Sequence, residues 1–119
     1  MAVHSADLSV QVDELGPHLL VRLSGDVDLE SAPALTETLR TLLETIGAKP
    51  LVLDLTEVEF MDSSGLGVLV GVHQQAAVQG GALILAGPHP RVAKILRITK
   101  LDKVFTVVDT VDEAMASGA

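Results

Sequence analysis

Cysteine, tryptophan and tyrosine are absent from the 119 residues, and phenylalanine occurs only as Phe60 and Phe105. Without cysteine there is no disulfide framework, no thiolate metal site and no cysteine nucleophile. Two aromatic rings cannot line a large pocket, so no cofactor is expected and the core must be built from Leu, Val, Ile and Ala. Long apolar runs are missing too. The most apolar stretch, Val68-Leu69-Val70-Gly71-Val72, falls far short of the roughly 20 residues that cross a bilayer. No basic segment followed by an apolar one stands at the N-terminus, so no secretory signal is read there and a cytoplasmic, membrane-free protein is expected.

Positive charge is also scarce. Sixteen acids against eight bases give a net charge of −8, and twelve of the acids lie in residues 1–62 beside only Arg22, Arg40 and Lys49. The remaining bases, Arg91, Lys94, Arg97, Lys100 and Lys103, form a run that reads as the solvated side of a helix or as a contact for an acidic group. Nucleic-acid binders are normally basic, with aromatics for stacking, so direct nucleic-acid binding is not expected. A partner with a positive surface is. The four histidines, at 4, 18, 73 and 89, lack metal-ligand spacing, and no metal site is expected.

What the chain does have is clear periodicity. Apolar residues alternate in Leu8-Ser9-Val10-Gln11-Val12, Gly16-Pro17 reads as a turn, and His18 to Ser24 reads as a second strand, which together predict an antiparallel hairpin. Leu35, Leu39, Leu42, Leu43 and Ile46 then share one helical face between a Ser31/Pro33 start and a Gly47 stop. Leu51 to Leu55 is the short apolar run of an interior parallel strand. A helix is predicted over 63–79, ended by Gly80-Gly81, then a strand at 82–86 and a helix opened by Pro90 with Val92, Ile95 and Leu96 inward. A last strand at 104–108 precedes the capping box Thr110-Val-Asp-Glu113. The fold class is α/β: a single mixed β-sheet with packed helices and right-handed crossovers, all 119 residues forming one domain.

Between Leu55 and Val72 the chain carries its most informative stretch. Val58 and Phe60 alternate with Glu57 and Glu59, which predicts a loop anchored to the core by the two apolar residues. Asp62 or Ser63 suits the helix cap, because a short side-chain oxygen accepts from the free N–H groups of the first turn. Those N–H groups and the dipole also make a helix start a place where a phosphate is tolerated. Gly65, Gly67 and Gly71 disfavour the helix by about 1 kcal/mol each relative to Ala. Close packing on the sheet would offset that, and Gly65 also leaves the backbone near Ser63 open. Asp54, in an apolar strand, reads as an acceptor for the following loop, and turn chemistry alone accounts for Asp26 and Asp28 in a strand-to-helix loop. Ser63 has neither a Gly-x-Ser-x-Gly elbow nor an evident base, and Gly65-Leu-Gly67 is neither a dinucleotide fingerprint nor a phosphate loop, so an enzyme is not expected.

Asp54-Leu-Thr-Glu-Val-Glu-Phe-Met-Asp-Ser-Ser-Gly-Leu-Gly-Val-Leu69 resembles the signature of the STAS domain, specifically the stand-alone bacterial anti-sigma-factor antagonists. Leu23 to Asp28, Gly80 to Leu85 and Val92 to Phe105 resemble the family's other segments, so the likeness covers nearly the whole chain. It implies a partner-switching cycle. The antagonist binds an anti-sigma factor that is also a serine kinase and so frees a sigma factor. The kinase inactivates it by phosphorylating the first serine of Asp-Ser-Ser-Gly, here Ser63 rather than Ser64, and a serine phosphatase restores it. ATP belongs to the kinase. The resemblance further implies a partner-binding surface of Asp26, Asp28, Asp62, Ser63, Ser64 and Gly65, on a chain expected to be monomeric when free. Another reading of the same resemblance is a non-switching STAS scaffold or small-ligand-binding module in a stress-signalling assembly. One departure stands out: relatives usually have glycine where this chain has Lys100.

Overall fold

The computed structural model describes residues 2–5 and 8–117; the ends of the expected 1–119 domain, residues 1, 118 and 119, lie outside them. One six-stranded mixed sheet runs in sequence order from β1 (Ala2–Ser5) through β2 (Leu8–Leu15), β3 (His18–Val27), β4 (Leu51–Met61) and β5 (Leu83–Ala86) to β6 (Thr106–Val108). The first three strands pair antiparallel, and β3 to β6 pair parallel. The β2–β3 hairpin closes at Leu15↔His18 around Gly16, whose φ of 59° a residue with a Cβ adopts only at a cost. β1 is an addition, since nothing in Ala2-Val-His-Ser5 reads as a strand by pattern. The mixed sheet and its helices are as the sequence predicts.

Helices α1 (Ala32–Ile46), α2 (Ser63–Val78) and α3 (Pro90–Ile98) connect the parallel strands and share one core with one face of the sheet. Leu35, Leu39 and Leu43 of α1, Leu69 and Val72 of α2, and Val92 and Leu96 of α3 meet Val21, Leu53, Leu55 and Leu85 there. Gln79 ties the ends of α1 and α2 together, its Nε2 donating to the carbonyls of Leu43 at 2.7 Å and Gly47 at 3.0 Å. On the opposite face α4 (Val111–Ser117) places Ala114 against Leu20, Val52, Ile84 and Ala86. Its first turn is capped as the Thr110 box predicts, Glu113 N–H donating to Thr110 Oγ1 at 3.1 Å.

Two irregularities shape the end of β4. The β3–β4 register runs Arg22↔Asp54 and then Ser24↔Glu57, and later Gly25↔Val58 and then Asp26↔Phe60, so β4 gains one residue on its partner at each step. Such bulges break the two-residue alternation and turn side chains to new faces. The expected loop over 56–61 is therefore strand, and one of its two expected anchors is corrected. Val58 is fully buried, but Phe60 is 48% exposed.

Candidate functional site

β4 delivers Asp62 to the start of α2, and Asp62 caps it. One carboxylate oxygen, Oδ1, accepts from the N–H groups of Ser64 at 2.9 Å and Gly65 at 3.1 Å. The other, Oδ2, accepts from Leu29 N–H at 3.2 Å, thirty-three residues away in sequence. Asp62 N–H in turn donates to the Val27 carbonyl at 3.2 Å. The capping residue is thus Asp62 and not Ser63. Two of the first-turn donors expected to be free for an anion, those of Ser64 and Gly65, are held by its side chain.

The β3–α1 loop is equally well ordered. Asp28 Oδ1 accepts from the N–H groups of Glu30 at 3.1 Å and Ser31 at 3.0 Å, the turn chemistry anticipated for this residue. Ser31, fully buried, accepts from Asp28 N–H at 3.0 Å and donates to the Asp26 carbonyl at 2.9 Å, so it braces the loop and does not cap α1 with its side chain. Asp26 lies beside Phe60 across the β3–β4 ladder. Asp26, Asp28, Asp62, Ser63, Ser64 and Gly65 are therefore gathered where the C-terminal ends of β3 and β4 meet the start of α2. Ser63 is exposed, Ser64 is half-buried and Gly65 is buried.

The three glycines of α2 divide. A Cβ on Gly65 would lie 2.6 Å from Met61 Cγ and 2.6 Å from the Val27 carbonyl oxygen, so Gly65 is where the helix presses on the sheet. Gly67 and Gly71 face open space, which corrects the expectation that they pack closely. Both border a groove of about 440 Å³ between α1 and α2, with Ala32, Pro33, Ser64 and Val72 among its walls.

Asp54 does what its place predicts: Oδ1 accepts from Thr56 N–H at 3.0 Å and from Thr56 Oγ1 at 2.8 Å. Its Oδ2 also stands 3.7 Å from Arg22 Nε, a pairing the sequence does not reveal. The bases of the 91–103 run are all exposed. His73 packs edge-on to Phe105 with ring centroids 5.5 Å apart. His18, read only as the start of a strand, is buried with Nε2 lacking a hydrogen-bond partner. Among the described residues no three His, Asp or Glu side chains gather as a metal cage, and no helix is long and apolar enough to cross a membrane.

A sheet of this order, with an Asp-capped Ser-Ser-Gly helix start at the C-terminal ends of two parallel strands, defines the class. The family model of the STAS domain matches residues 9–114, and the chain belongs to that family. An anti-sigma-B factor antagonist of Bacillus subtilis (strain 168) is 36% identical over 101 residues, which cover 85% of this chain and 91% of the relative. The crystal structure of an anti-sigma factor antagonist from Mycobacterium paratuberculosis superposes with a TM-score of 0.84 at 27% identity, covering 93% of each chain. The Bacillus cell fate determinant SpoIIAA in its phosphorylated form matches with a TM-score of 0.70 at 22% identity over 91% of this chain and 97% of that one, a likeness of fold. The relatives are regulators named as antagonists of anti-sigma factors.

Proposed function

We propose that this chain is an anti-sigma-factor antagonist, regulatory and not catalytic, that binds a serine-kinase anti-sigma factor and is released from it by phosphorylation of Ser63. The observation that carries this reading is the exposure of Ser63 directly after Asp62, on a helix start where Asp62 already holds the N–H groups of Ser64 and Gly65. In the transfer step Ser63 Oγ attacks the γ-phosphorus of ATP held by the kinase. The bond to the β–γ bridging oxygen breaks, ADP leaves, and the hydroxyl proton passes to a base on the kinase. A serine phosphatase reverses the modification by hydrolysis.

Charge explains how the modification acts. Phosphorylation adds about −1.5 to −2 at neutral pH. With the Ser64 and Gly65 donors held by Asp62, the helix start has fewer N–H groups to offer that charge, and the exposed Ser63 turns it toward the partner. Exposed Glu57 and Glu59 and half-buried Asp26, Asp28 and Asp62 already make the region acidic. Two unit charges at about 4 Å interact by as much as about 4 kcal/mol at an effective dielectric of 20. A loss of even 2–3 kcal/mol weakens binding roughly 30–150-fold, so no refolding of the antagonist is needed. Binding of Ser63→Glu and Ser63→Ala to the purified kinase tests this. The Glu variant should bind at least 30-fold more weakly than the parent and the Ala variant about as well. Equal affinity for Ser63→Glu and the parent would sink the electrostatic reading.

A further inference from the structure

Among the described residues six large apolar side chains are exposed: Leu15, Leu29, Phe60, Val78, Ile98 and Val104. Leu15 lies at the hairpin, Val78 at the far end of α2, and Ile98 and Val104 near the end of α3. The other two stand at the acidic site. Leu29 is 75% exposed, and its N–H is the one that donates to Asp62 Oδ2. Phe60, 48% exposed, lies two residues before Asp62 and is held beside Asp26 in the ladder. With only two aromatic residues in the chain, one is Phe105 in the core and the other stands three residues before Ser63.

Leu29 adds little to the packing of the fold, and about half of Phe60 is left uncovered by it. The β4 bulges turn Phe60 outward, and the backbone of Leu29 is fixed by the Asp28, Ser31 and Asp62 contacts around it. Apolar groups on a preorganised backbone lose little freedom on binding, and interface energy concentrates in a few such anchors within a polar rim. The rim is acidic here, supplied by Asp26, Asp28, Glu30, Glu57 and Glu59.

We propose that Leu29 and Phe60 are the apolar anchors of the surface covered by the serine-kinase anti-sigma factor, which meets them with an apolar socket rimmed by basic groups. The proposal rests on the function inferred above and adds the chemistry of the partner's face. Its basis is continuity: Asp62 joins the Leu29 loop, the end of β4 and the Ser63 helix start into one surface, so a kinase reaching Ser63 comes against both side chains.

The test is titration calorimetry of Leu29→Ser and Phe60→Thr against the purified kinase that modifies the parent chain, at two salt concentrations, with Val78→Ser as control. Each anchor variant should bind at least tenfold more weakly with an unchanged salt dependence, because no charge is lost. Val78→Ser should bind as the parent does. A dissociation constant within twofold of the parent for both anchor variants, or an equal loss in the control, overturns the proposal. Leu29→Ser decides the matter alone if Phe60→Thr lowers the melting temperature, since Leu29 contributes little packing. If no anti-sigma-factor kinase of the organism binds or modifies the parent, the functional reading fails first and the anchors fail with it.

Discussion

The amide of Leu29 donates to Asp62 Oδ2 at 3.2 Å while Asp62 Oδ1 caps the helix that begins at Ser63. One carboxylate therefore holds the acidic β3–α1 loop and the acceptor helix in fixed relation. The loop and the serine thus form a single surface held by one side chain.

Removing that carboxylate should loosen both parts. Asp62→Ala loses the cap, a change that typically costs about 0.5–2 kcal/mol, and leaves the Leu29 N–H without its acceptor. Asp62→Asn keeps one acceptor oxygen for the Ser64 and Gly65 donors and should fall between Ala and the parent. Urea denaturation orders the three proteins. An Ala variant as stable as the parent would contradict the bridging role.

The glycines of α2 should respond with opposite signs. Gly65→Ala drives a methyl into Met61 and the Val27 carbonyl, the same carbonyl that receives the Asp62 N–H, and should cost about 1–3 kcal/mol. Gly67→Ala and Gly71→Ala meet nothing and should each stabilise by up to about 1 kcal/mol through helix propensity. Melting temperatures of the three variants check the split.

Lys100 has φ 62° and ψ 17°, a left-handed conformation that costs a residue with a Cβ roughly 1–2 kcal/mol. Gly adopts it freely and commonly ends helices in this way. Lys100→Gly should therefore raise stability, by about 1 kcal/mol after the greater freedom of glycine in the unfolded chain is counted. Denaturant unfolding measures it, and a lower midpoint in the variant would show that the Lys100 side chain contributes more than its backbone costs.

Much of this was legible in the sequence because pattern and geometry agree there. Leu35, Leu39 and Leu43 bury one helical face as their spacing says, and Leu51, Val52, Leu53 and Leu55 are fully buried as in an interior strand. Thr110 also takes the role its residue type predicts, whereas Lys100 holds a left-handed conformation that its residue type disfavours. The misses share one cause, a dependence on contacts distant in sequence. The β4 bulges exist only against β3, so alternation over 56–61 misplaced Phe60. The packing of Gly65 and Gly67 cannot be told apart along the chain, and the positions of Val27 and Met61 beneath the helix separate them. The bond from Leu29 to Asp62, the Arg22–Asp54 pair and the orphaned His18 Nε2 carry no local signal.

Phosphate transfer to Ser63 tests the central claim most directly. The full chain, its Ser63→Ala variant and its Ser64→Ala variant are incubated with purified kinase and ATP, and intact-mass and peptide spectra are recorded. The expected result is one phosphate on the parent and on Ser64→Ala, located at Ser63, and none on Ser63→Ala. Modification that persists in Ser63→Ala, or that maps to Ser64, would contradict it.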